Sequence, residues 1–308
     1  MAHWLDAMPH PEAAVEIAAG YVSAASPGGG RITPDALATE PLPGGAVIPS
    51  PVEPNVADPE ALRAALGRLL QRRPIRPQSI ALLLPDEAVR VFLLHFETFP
   101  RDAEEAVPLL RWRLKKSVPF DVEETAVSYM AQPSREQGVE ILAAIARQRI
   151  IRQYEEIVEA AGLAPGVVLG STLAVLPLLE EEQPALLVRM TGETLTTAIV
   201  RGEAICVYRC TSLQSDAQRL APQLLLDEVF PAVAYFQDTW KENVHHARLA
   251  GFAGRTGELC RVLESGLGSS VSPLAAGNRA QGMTPGAARA GLDGQFDALI
   301  GWSANRGA

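Results

Sequence analysis

The alternation of apolar and polar positions predicts two similar α/β units along this chain. Short apolar stretches on either side of Gly20, within residues 12–25, predict two strands joined by a tight turn. A second series, also separated by glycine-containing turns, covers Leu186–Met190, Leu195–Val200 and Ala204–Arg209. An amphipathic helix pattern follows each series. We therefore expect a duplicated architecture with a cleft between two halves.

Capping residues predict where several helices begin and end. Asp58 followed by Pro59 is typical of an N-cap and first helical position, and this helix should end before Pro74. Gly162 closes the amphipathic stretch Gln148–Ala161, as a glycine just beyond a helix does. Further helices are expected at Asp102–Lys116, Asp216–Glu242, Glu258–Leu267 and Leu292–Gly301.

A smaller unit interrupts the first half. The continuous apolar run Ser79–Leu84 predicts a buried strand. It is followed by predicted strands at Val89–Phe96, Ala126–Met130 and Glu140–Ala146. The proline- and glycine-rich stretch from Ser26 to Asp58 predicts irregular surface chain or edge strands. We expect the first half to begin with residues 12–84, an inserted α+β domain at 85–165, the remaining core at 166–302, and flexible termini at 1–11 and 303–308.

Composition excludes several classes of protein. The 308 residues carry a net charge of −9, and 47% of them are hydrophobic, which excludes wholesale disorder. An acidic chain lacks the positive field that non-specific nucleic-acid binding requires, so we expect no nucleic-acid partner. Cys206, Cys210 and Cys260 cannot all pair, which favours buried thiols in a reducing compartment over a disulfide framework or metal site. No metal ligand set is predicted.

The same pattern contains neither a membrane span nor an export signal. The longest apolar runs are strand-length, far below the roughly 18 residues that a spanning helix needs. Residues Met1–His10 lack a basic segment followed by an apolar one. We therefore expect a cytoplasmic protein that associates with a membrane only through a partner.

A run of local motifs resembles a known family. The order along the chain is a proline-bounded strand (Leu84-Pro85), a Phe-Pro pair (Phe99-Pro100) and the end of a basic helix (Leu114–Phe120). A strand that contains a tyrosine (Ala126–Tyr129) and a helix end that contains a glycine (Ala160–Pro165) follow. Within the actin/Hsp70/FtsA superfamily, this order resembles the PilM family of type IV pilus assembly proteins, over residues 14–274. The resemblance implies an α/β, actin-like (ribonuclease H-like) duplicated fold with a small inserted α+β domain.

The resemblance also implies three turns that contact a nucleotide. In such proteins an aspartate begins each of two phosphate turns, and a third turn contacts adenosine. The corresponding positions here are Glu16 and Gly20 in the first turn, Arg189, Thr191 and Gly192 in the second, and Gly251 and Gly254 in the third. Arg189 stands where the family has an aspartate, which removes a carboxylate that organises Mg²⁺ and its waters.

This replacement leaves two interpretations of the cleft. We expect a degenerate or non-hydrolysing site in which ATP binding stays an open question and Mg²⁺ is absent. The alternative is an active ATPase or sugar-kinase-like enzyme, which needs carboxylates at both phosphate turns.

An FtsA-like division protein is a further alternative, but Leu292–Trp302 carries Asp293 and Asp297 and no basic residue, which is a poor composition for a lipid-binding helix. A GspL-type secretion component would ordinarily carry a membrane span.

A scaffold role in pilus assembly implies a partner. The resemblance implies that it is the short cytoplasmic N-terminal peptide of a PilN-type inner-membrane protein, bound at a groove of the inserted domain. Such a peptide would insert apolar side chains and pair its backbone with a strand edge. From position alone, we expect the groove residues to be Val91, Leu93, Leu114, Val118 and Phe120. Self-association into a homo-oligomer stays open.

The predicted helix at Asp102–Lys116 has a basic side. Arg111, Arg113, Lys115 and Lys116 are either a solvated helix face or a surface for anionic lipid headgroups. Four charges are the low end of the clusters that bind lipid, which favours the solvated helix face.

Overall fold

A computed structural model describes residues 9–26, 34–72, 74–75, 79–134, 137–179, 183–252, 254–274 and 295–304. The strands in these ranges are β1 (Ala13–Ile17), β2 (Tyr21–Ala25), β3 (Leu37–Pro41), β4 (Ser79–Leu84), β5 (Arg90–Phe96), β6 (Thr125–Gln132), β7 (Val139–Arg147), β8 (Ala164–Gly170), β9 (Ala185–Thr191), β10 (Thr194–Arg201), β11 (Ala204–Ser212), β12 (His246–Ala250) and β13 (Ser270–Pro273). The helices are α1 (Pro59–Arg72), α2 (Ala103–Leu114), α3 (Gln148–Ala160), α4 (Ser171–Val175), α5 (Pro222–Trp240), α6 (Thr256–Leu267) and α7 (Asp297–Ala304).

Two five-stranded sheets have the same topology. The first sheet has the strand order β3-β2-β1-β4-β8 and the second has the order β11-β10-β9-β12-β13. In each sheet the first three strands of the chain form an antiparallel meander, the fourth strand pairs in parallel with the first, and the fifth pairs in parallel with the fourth. The predicted duplication is therefore confirmed, because both halves repeat one five-strand unit.

Each sheet is covered on its outer face by two helices. The core of the first half joins strands β1, β2 and β4 to Leu62 and Leu66 of α1 and to Tyr154 and Ile157 of α3. The core of the second half joins strands β9, β10 and β12 to helices α5 and α6. The inner faces of the two sheets share one cluster of buried side chains, and α4 and α7 lie within it.

The inserted unit is a three-stranded antiparallel sheet. Its strand order is β5-β7-β6, and α2 covers one face, where Leu110 packs with Ile141 and Leu114 packs with Ile145. The following helix α3 packs on the first sheet instead, and Gln153 of α3 accepts hydrogen bonds from backbone N–H groups of Asn55 and Val56.

Most predicted helix boundaries are confirmed, with one clear exception. Asp58 caps α1, since its carboxylate accepts the N–H of Ala61 at 3.0 Å, and Gly162 follows α3 in the left-handed region, at φ +82°. The helix predicted to begin at Asp216 begins instead at Pro222. The carboxylate of Asp216 accepts the N–H groups of Gln218 and Arg219, which closes a separate turn, and proline then fixes the first helical position.

Some predictions fall partly outside the described residues. These are the outer parts of the flexible termini (1–8 and 305–308), residues 27–33 of the proline-rich stretch, and residues 292–294 of the C-terminal helix. That helix begins at Asp297 and runs to Ala304.

At the other end of the described chain, the carbonyl of Pro11 accepts a hydrogen bond from the indole N–H of Trp302 at 3.1 Å. Both ends therefore pack against the core.

Helices α4 and α7 cross at very short distance because Gly301 lies at their contact. A Cβ added at Gly301 would lie 2.1 Å from the carbonyl oxygen of Ala174 and 2.9 Å from the Cα of Val175. Both of these are backbone atoms of α4, so rotation of a side chain cannot relieve the clash. The crossing therefore requires glycine.

We predict that Gly301→Ala lowers the free energy of unfolding by at least about 2 kcal/mol, because α7 must move away from α4. The control is Gly67→Ala in α1, where an added Cβ meets nothing within 4 Å. This control should raise the free energy of unfolding by about 0.5–1 kcal/mol, since alanine is the better helix former. Urea unfolding measures both values, and equal effects at the two positions would contradict the proposed crossing constraint.

Candidate functional site

The three predicted nucleotide turns meet at one end of the two central strands. A Cβ added at Gly192, in the β9–β10 turn, would lie 3.8 Å from the Cβ of Ala19 in the β1–β2 turn. Gly251, after β12, has φ +81°, and a Cβ there would lie 1.8 Å from the carbonyl oxygen of Met190. Gly20 and Gly254 face open space. The two phosphate-type turns thus lie so close that a methyl group added at Gly192 would reach Ala19.

Arg189 is the central side chain of this region and is 1% exposed. Its Nε and Nη2 donate to the two carboxylate oxygens of Asp297 at 2.8 and 2.9 Å, and Nη2 also donates to Glu16 at 3.0 Å. Its Nη1 donates to the hydroxyls of Ser171 at 2.6 Å and Thr172 at 3.2 Å. All five guanidinium N–H groups are therefore satisfied by protein acceptors.

A third carboxylate, that of Asp86, lies 3.8 Å from Nη1 of Arg189. It accepts the backbone N–H of Thr172 at 2.9 Å and the hydroxyl of the same residue. It also accepts the hydroxyls of Thr196 at 2.9 Å and Tyr208 at 3.3 Å. We call Arg189, Glu16, Asp86, Asp297, Ser171 and Thr172 the Arg189 cluster. It joins both sheets to α4 and α7.

Burial sets the electrostatics of this cluster. Desolvation raises the pKa of Glu16 from 4.5 to about 7, the positive charge of Arg189 opposes the rise, and Asp297 and Asp86 reinforce it. Burial acts against the charge on Arg189, yet Asp297, Glu16 and Asp86 together hold its pKa well above the usual value. The guanidinium is therefore always charged, whereas Glu16 is the group that exchanges a proton near neutral pH.

The residues of the cluster do not suit a magnesium–nucleotide complex. Every carboxylate oxygen of Glu16, Asp86 and Asp297 already accepts a hydrogen bond from the protein, Glu16 through Arg189 and Ser23. Arg189 has no N–H left for a phosphate oxygen. Across the described residues, no group of three or more His, Cys, Asp or Glu side chains has the arrangement of a metal site.

The remaining turn residues have structural surroundings. Thr191 ends β9, and its buried hydroxyl has no hydrogen-bond partner among the described residues. After the third turn, Arg255 donates to the carbonyls of Ala217, Gln218 and Leu220, which ties that turn to the chain before α5. The conformation of the turn is thus fixed by internal hydrogen bonds.

A separate apolar groove lies between the inserted sheet and the first half. Its volume is about 450 Å³. One wall is formed by residues of β6 and β7, and the opposite wall by β8, α3 and α4. The lining includes Ala126, Ser128, Met130, Leu142, Ala144, Ile151, Glu155, Val168, Gly170 and Leu173. Both β6 and β8 are edge strands of their sheets. The groove therefore offers apolar side chains and two unpaired backbone edges.

The structure divides the five predicted groove residues between two faces of the inserted sheet. Val91 and Leu93 pack toward the cluster between the halves. Leu114 is fully buried, and Val118 and Phe120 pack with it under α2 on the other face. None of the five lines the 450 Å³ groove. Their part in partner binding stays a prediction, and the five do not form a single surface.

Sequence reasoning missed two carboxylates of the Arg189 cluster. Asp86 follows the buried strand β4 by two positions, which is where functional side chains of α/β proteins commonly lie. Asp297 precedes a nearly continuous apolar stretch, and the sequence analysis took it only as a feature that disfavours lipid binding. A lone acid beside buried apolar residues requires a buried partner, and that signal pointed to a cation such as Arg189.

Comparison with known proteins connects this arrangement to a family. The family model "Type IV pilus assembly protein PilM" matches residues 16–175, just over half of the chain, which includes the first hairpin, the inserted sheet and the groove. The chain belongs to the PilM family. Among the described residues of this PilM-family chain, none of the helices combines the length and apolar character that crossing a bilayer requires.

One solved structure supports the same fold. A PilM-PilN type IV pilus biogenesis complex matches with a TM-score of 0.74 and 20% identity, over 96% of this chain and 99% of that chain. The cytoplasmic domain of EpsL, an inner-membrane component of the type II secretion system of Vibrio cholerae, matches with a TM-score of 0.48 and 13% identity, over 77% and 80% of the two chains. The first match confirms the actin-like architecture.

We predict that Glu16→Gln changes how stability depends on pH. Because the folded protein holds the Glu16 proton up to pH about 7 and the unfolded chain releases it near 4.5, the wild type loses stability as pH rises across this interval. The variant has no proton to lose there, and its carboxamide still accepts from Arg189. The difference in free energy of unfolding, variant minus wild type, should therefore increase by about 3 kcal/mol from pH 4.5 to pH 8.

Chemical unfolding at a series of pH values measures this difference. Exposed Glu53→Gln is the control and should follow the wild-type profile. A constant difference between Glu16→Gln and wild type at all pH values would show that Glu16 does not hold its proton as described.

Proposed function

We propose that this chain is a cytoplasmic actin-like scaffold of type IV pilus assembly that binds an extended segment of a PilN-type inner-membrane protein. Membership of the PilM family supports the pathway, and the groove between β6 and β8 supports the mode of binding. The matched complex contains PilN beside PilM, which supports a partner of that kind. Membrane association would then come through the partner.

The groove suits an extended peptide better than a small molecule. Strands β6 and β8 both present an open edge, and their groove-lining parts are Ala126–Met130 and Val168–Gly170. An added strand would gain main-chain hydrogen bonds from such an edge, while alternate side chains enter the apolar space. Ser128 and Ala126 are exposed and small, which leaves room for the partner's side chains.

Binding of a labelled peptide tests this mode directly. The probe is the N-terminal cytoplasmic segment of the PilN-type protein encoded with this chain. We predict that Ser128→Arg weakens binding at least ten-fold, because a long charged side chain fills the apolar groove. Glu104→Arg, on the exposed side of α2, is the control with the same introduced group and should bind as the wild type does. Fluorescence anisotropy measures both affinities.

Unchanged affinity in the Ser128→Arg protein would exclude the β6–β8 groove. Equal loss in both variants would show that positive charge on the domain, and not occupancy of the groove, opposes the peptide.

We further propose that the cleft between the halves is a degenerate nucleotide site without hydrolysis. The close contact of the two phosphate-type turns and the saturated hydrogen bonds of Arg189 support this proposal. Glu16, the acid at the family's aspartate position in the first phosphate turn, is engaged by Arg189 and Ser23. The alternative enzyme activities would require a free carboxylate to position a metal-bound water.

We predict that MgATP does not raise the thermal unfolding temperature of the protein. A ligand at 100 times its dissociation constant would stabilise the folded state by about 2.7 kcal/mol, which is readily measured. A fluorescent ATP analogue, titrated with and without Mg²⁺, provides the second measurement. Metal-dependent binding at micromolar concentration would contradict the degenerate cleft.

A further inference from the structure

The end of helix α2 carries an exposed aromatic side chain among cations. Trp112 is 74% exposed, the largest exposure among the large hydrophobic side chains of the described residues. Arg113, Lys115 and Lys116 beside it are exposed as well. Leu114, in the middle of this run, is fully buried against the inserted sheet and fixes the orientation of the helix. We call Trp112, Arg113, Lys115 and Lys116 the α2 patch.

The patch has the opposite charge to the rest of the molecule. The chain has a net charge of −9 and only three lysines, of which Lys115 and Lys116 are adjacent here. Arg111 differs from its neighbours, because it is half-buried, donates to the carbonyl of Thr125 and pairs with Glu123 at 3.7 Å. Arg111 therefore holds the domain together and is not part of the patch.

The acids nearest in sequence already have partners. Glu123 pairs with Arg111, and Glu124 pairs with Arg147 at 3.1 Å. Asp121 accepts the backbone N–H of Glu123 at 3.1 Å. In contrast, no ion pair of Arg113, Lys115 or Lys116 is formed with any of the described residues. The positive charge of the patch is thus not neutralised by the domain.

Helix chemistry accounts for only part of this arrangement. Cations at the last turn of a helix interact favourably with the helix dipole, which explains a basic end in general. It does not explain an exposed tryptophan, because contact of the apolar ring with water is unfavourable. Tryptophan between cations is the combination found where a protein meets the headgroup region of a bilayer, because the ring is amphipathic.

We propose that the α2 patch docks on an anionic phospholipid surface, with Trp112 in the headgroup layer and Arg113, Lys115 and Lys116 on lipid phosphates. The patch is the convex end of a helix, which suits a broad surface better than a peptide. Neither the patch nor any other residue of α2 lines the β6–β8 groove. Both surfaces can therefore be occupied at once.

This contact goes beyond the proposed function and does not depend on it. Three cations are fewer than the four to eight that form a self-sufficient lipid-binding cluster. The patch alone is thus a weak, salt-sensitive contact, which adds affinity once a membrane partner holds the chain nearby. Its direct measurement requires low ionic strength, where screening is small.

Sedimentation with vesicles tests the proposal on the intact chain without any partner peptide. The protein should bind vesicles that contain phosphatidylglycerol and not vesicles of phosphatidylcholine alone, and binding should fall as salt rises. Replacing Arg113, Lys115 and Lys116 by Gln should weaken binding about five-fold per charge removed. Trp112→Ser should weaken binding as well. In the wild type, brominated lipids should quench the part of the tryptophan fluorescence that comes from Trp112. The Trp112→Ser protein, which keeps the other three tryptophans, should lack this quenching.

Matched controls lie on the second half of the molecule. Arg219→Gln with Arg261→Gln removes exposed positive charge elsewhere, and Phe230→Ala removes another exposed aromatic ring. These controls should bind vesicles as the wild type does. The proposal would be overturned by equal binding to neutral vesicles or by full binding of the triple variant. Complete competition by polyglutamate would also overturn it and would indicate an acidic protein partner instead. Peptide affinity of the triple variant, measured separately, reports on the proposed function alone.

Discussion

One buried guanidinium holds the two halves of this molecule in a fixed relation. Arg189 belongs to the second sheet, whereas Glu16 belongs to the first and Asp297 to α7. Removing one partner from a buried ionic group leaves uncompensated charge and typically costs about 3–5 kcal/mol, a large part of the stability of a domain. The relation between the halves, and with it the shape of the cleft, therefore depends on this residue as well as on the apolar cluster that the inner faces of the sheets share.

The cluster also places charge between the two halves of the actin-like fold from the protein's own side chains. Here Arg189 is a permanent internal cation, and the carboxylates that surround it complete the arrangement. The side chains around Arg189 are thus held by hydrogen bonds within the protein, while the groove between β6 and β8 is a separate, apolar surface.

Sequence patterns predicted the repeated hairpins and most helix ends because these features have local causes. Glycine turns, the Asp58 cap and apolar periodicity act within a few residues of each other. Strand β8 was missed because Pro165 and Gly166 resemble a loop, although its neighbour β4 supplies the backbone partners. The association of Arg189 with Asp86 and Asp297 was missed for the same reason, since it joins residues about a hundred positions apart and leaves no local pattern. The groove, too, is formed only when two separate sheets meet.

The distance of Asp297 along the chain has a consequence for biosynthesis. It follows Arg189 by 108 residues, so a ribosome delivers both sheets before it delivers the carboxylate that binds the guanidinium most fully. A chain that lacks residue 297 has Glu16 as a partner for Arg189 but no bidentate carboxylate for the guanidinium. The halves can each acquire their own cores early, yet their mutual orientation becomes permanent only after α7 has emerged. Completion of the Arg189 cluster therefore requires α7 in addition to both sheets.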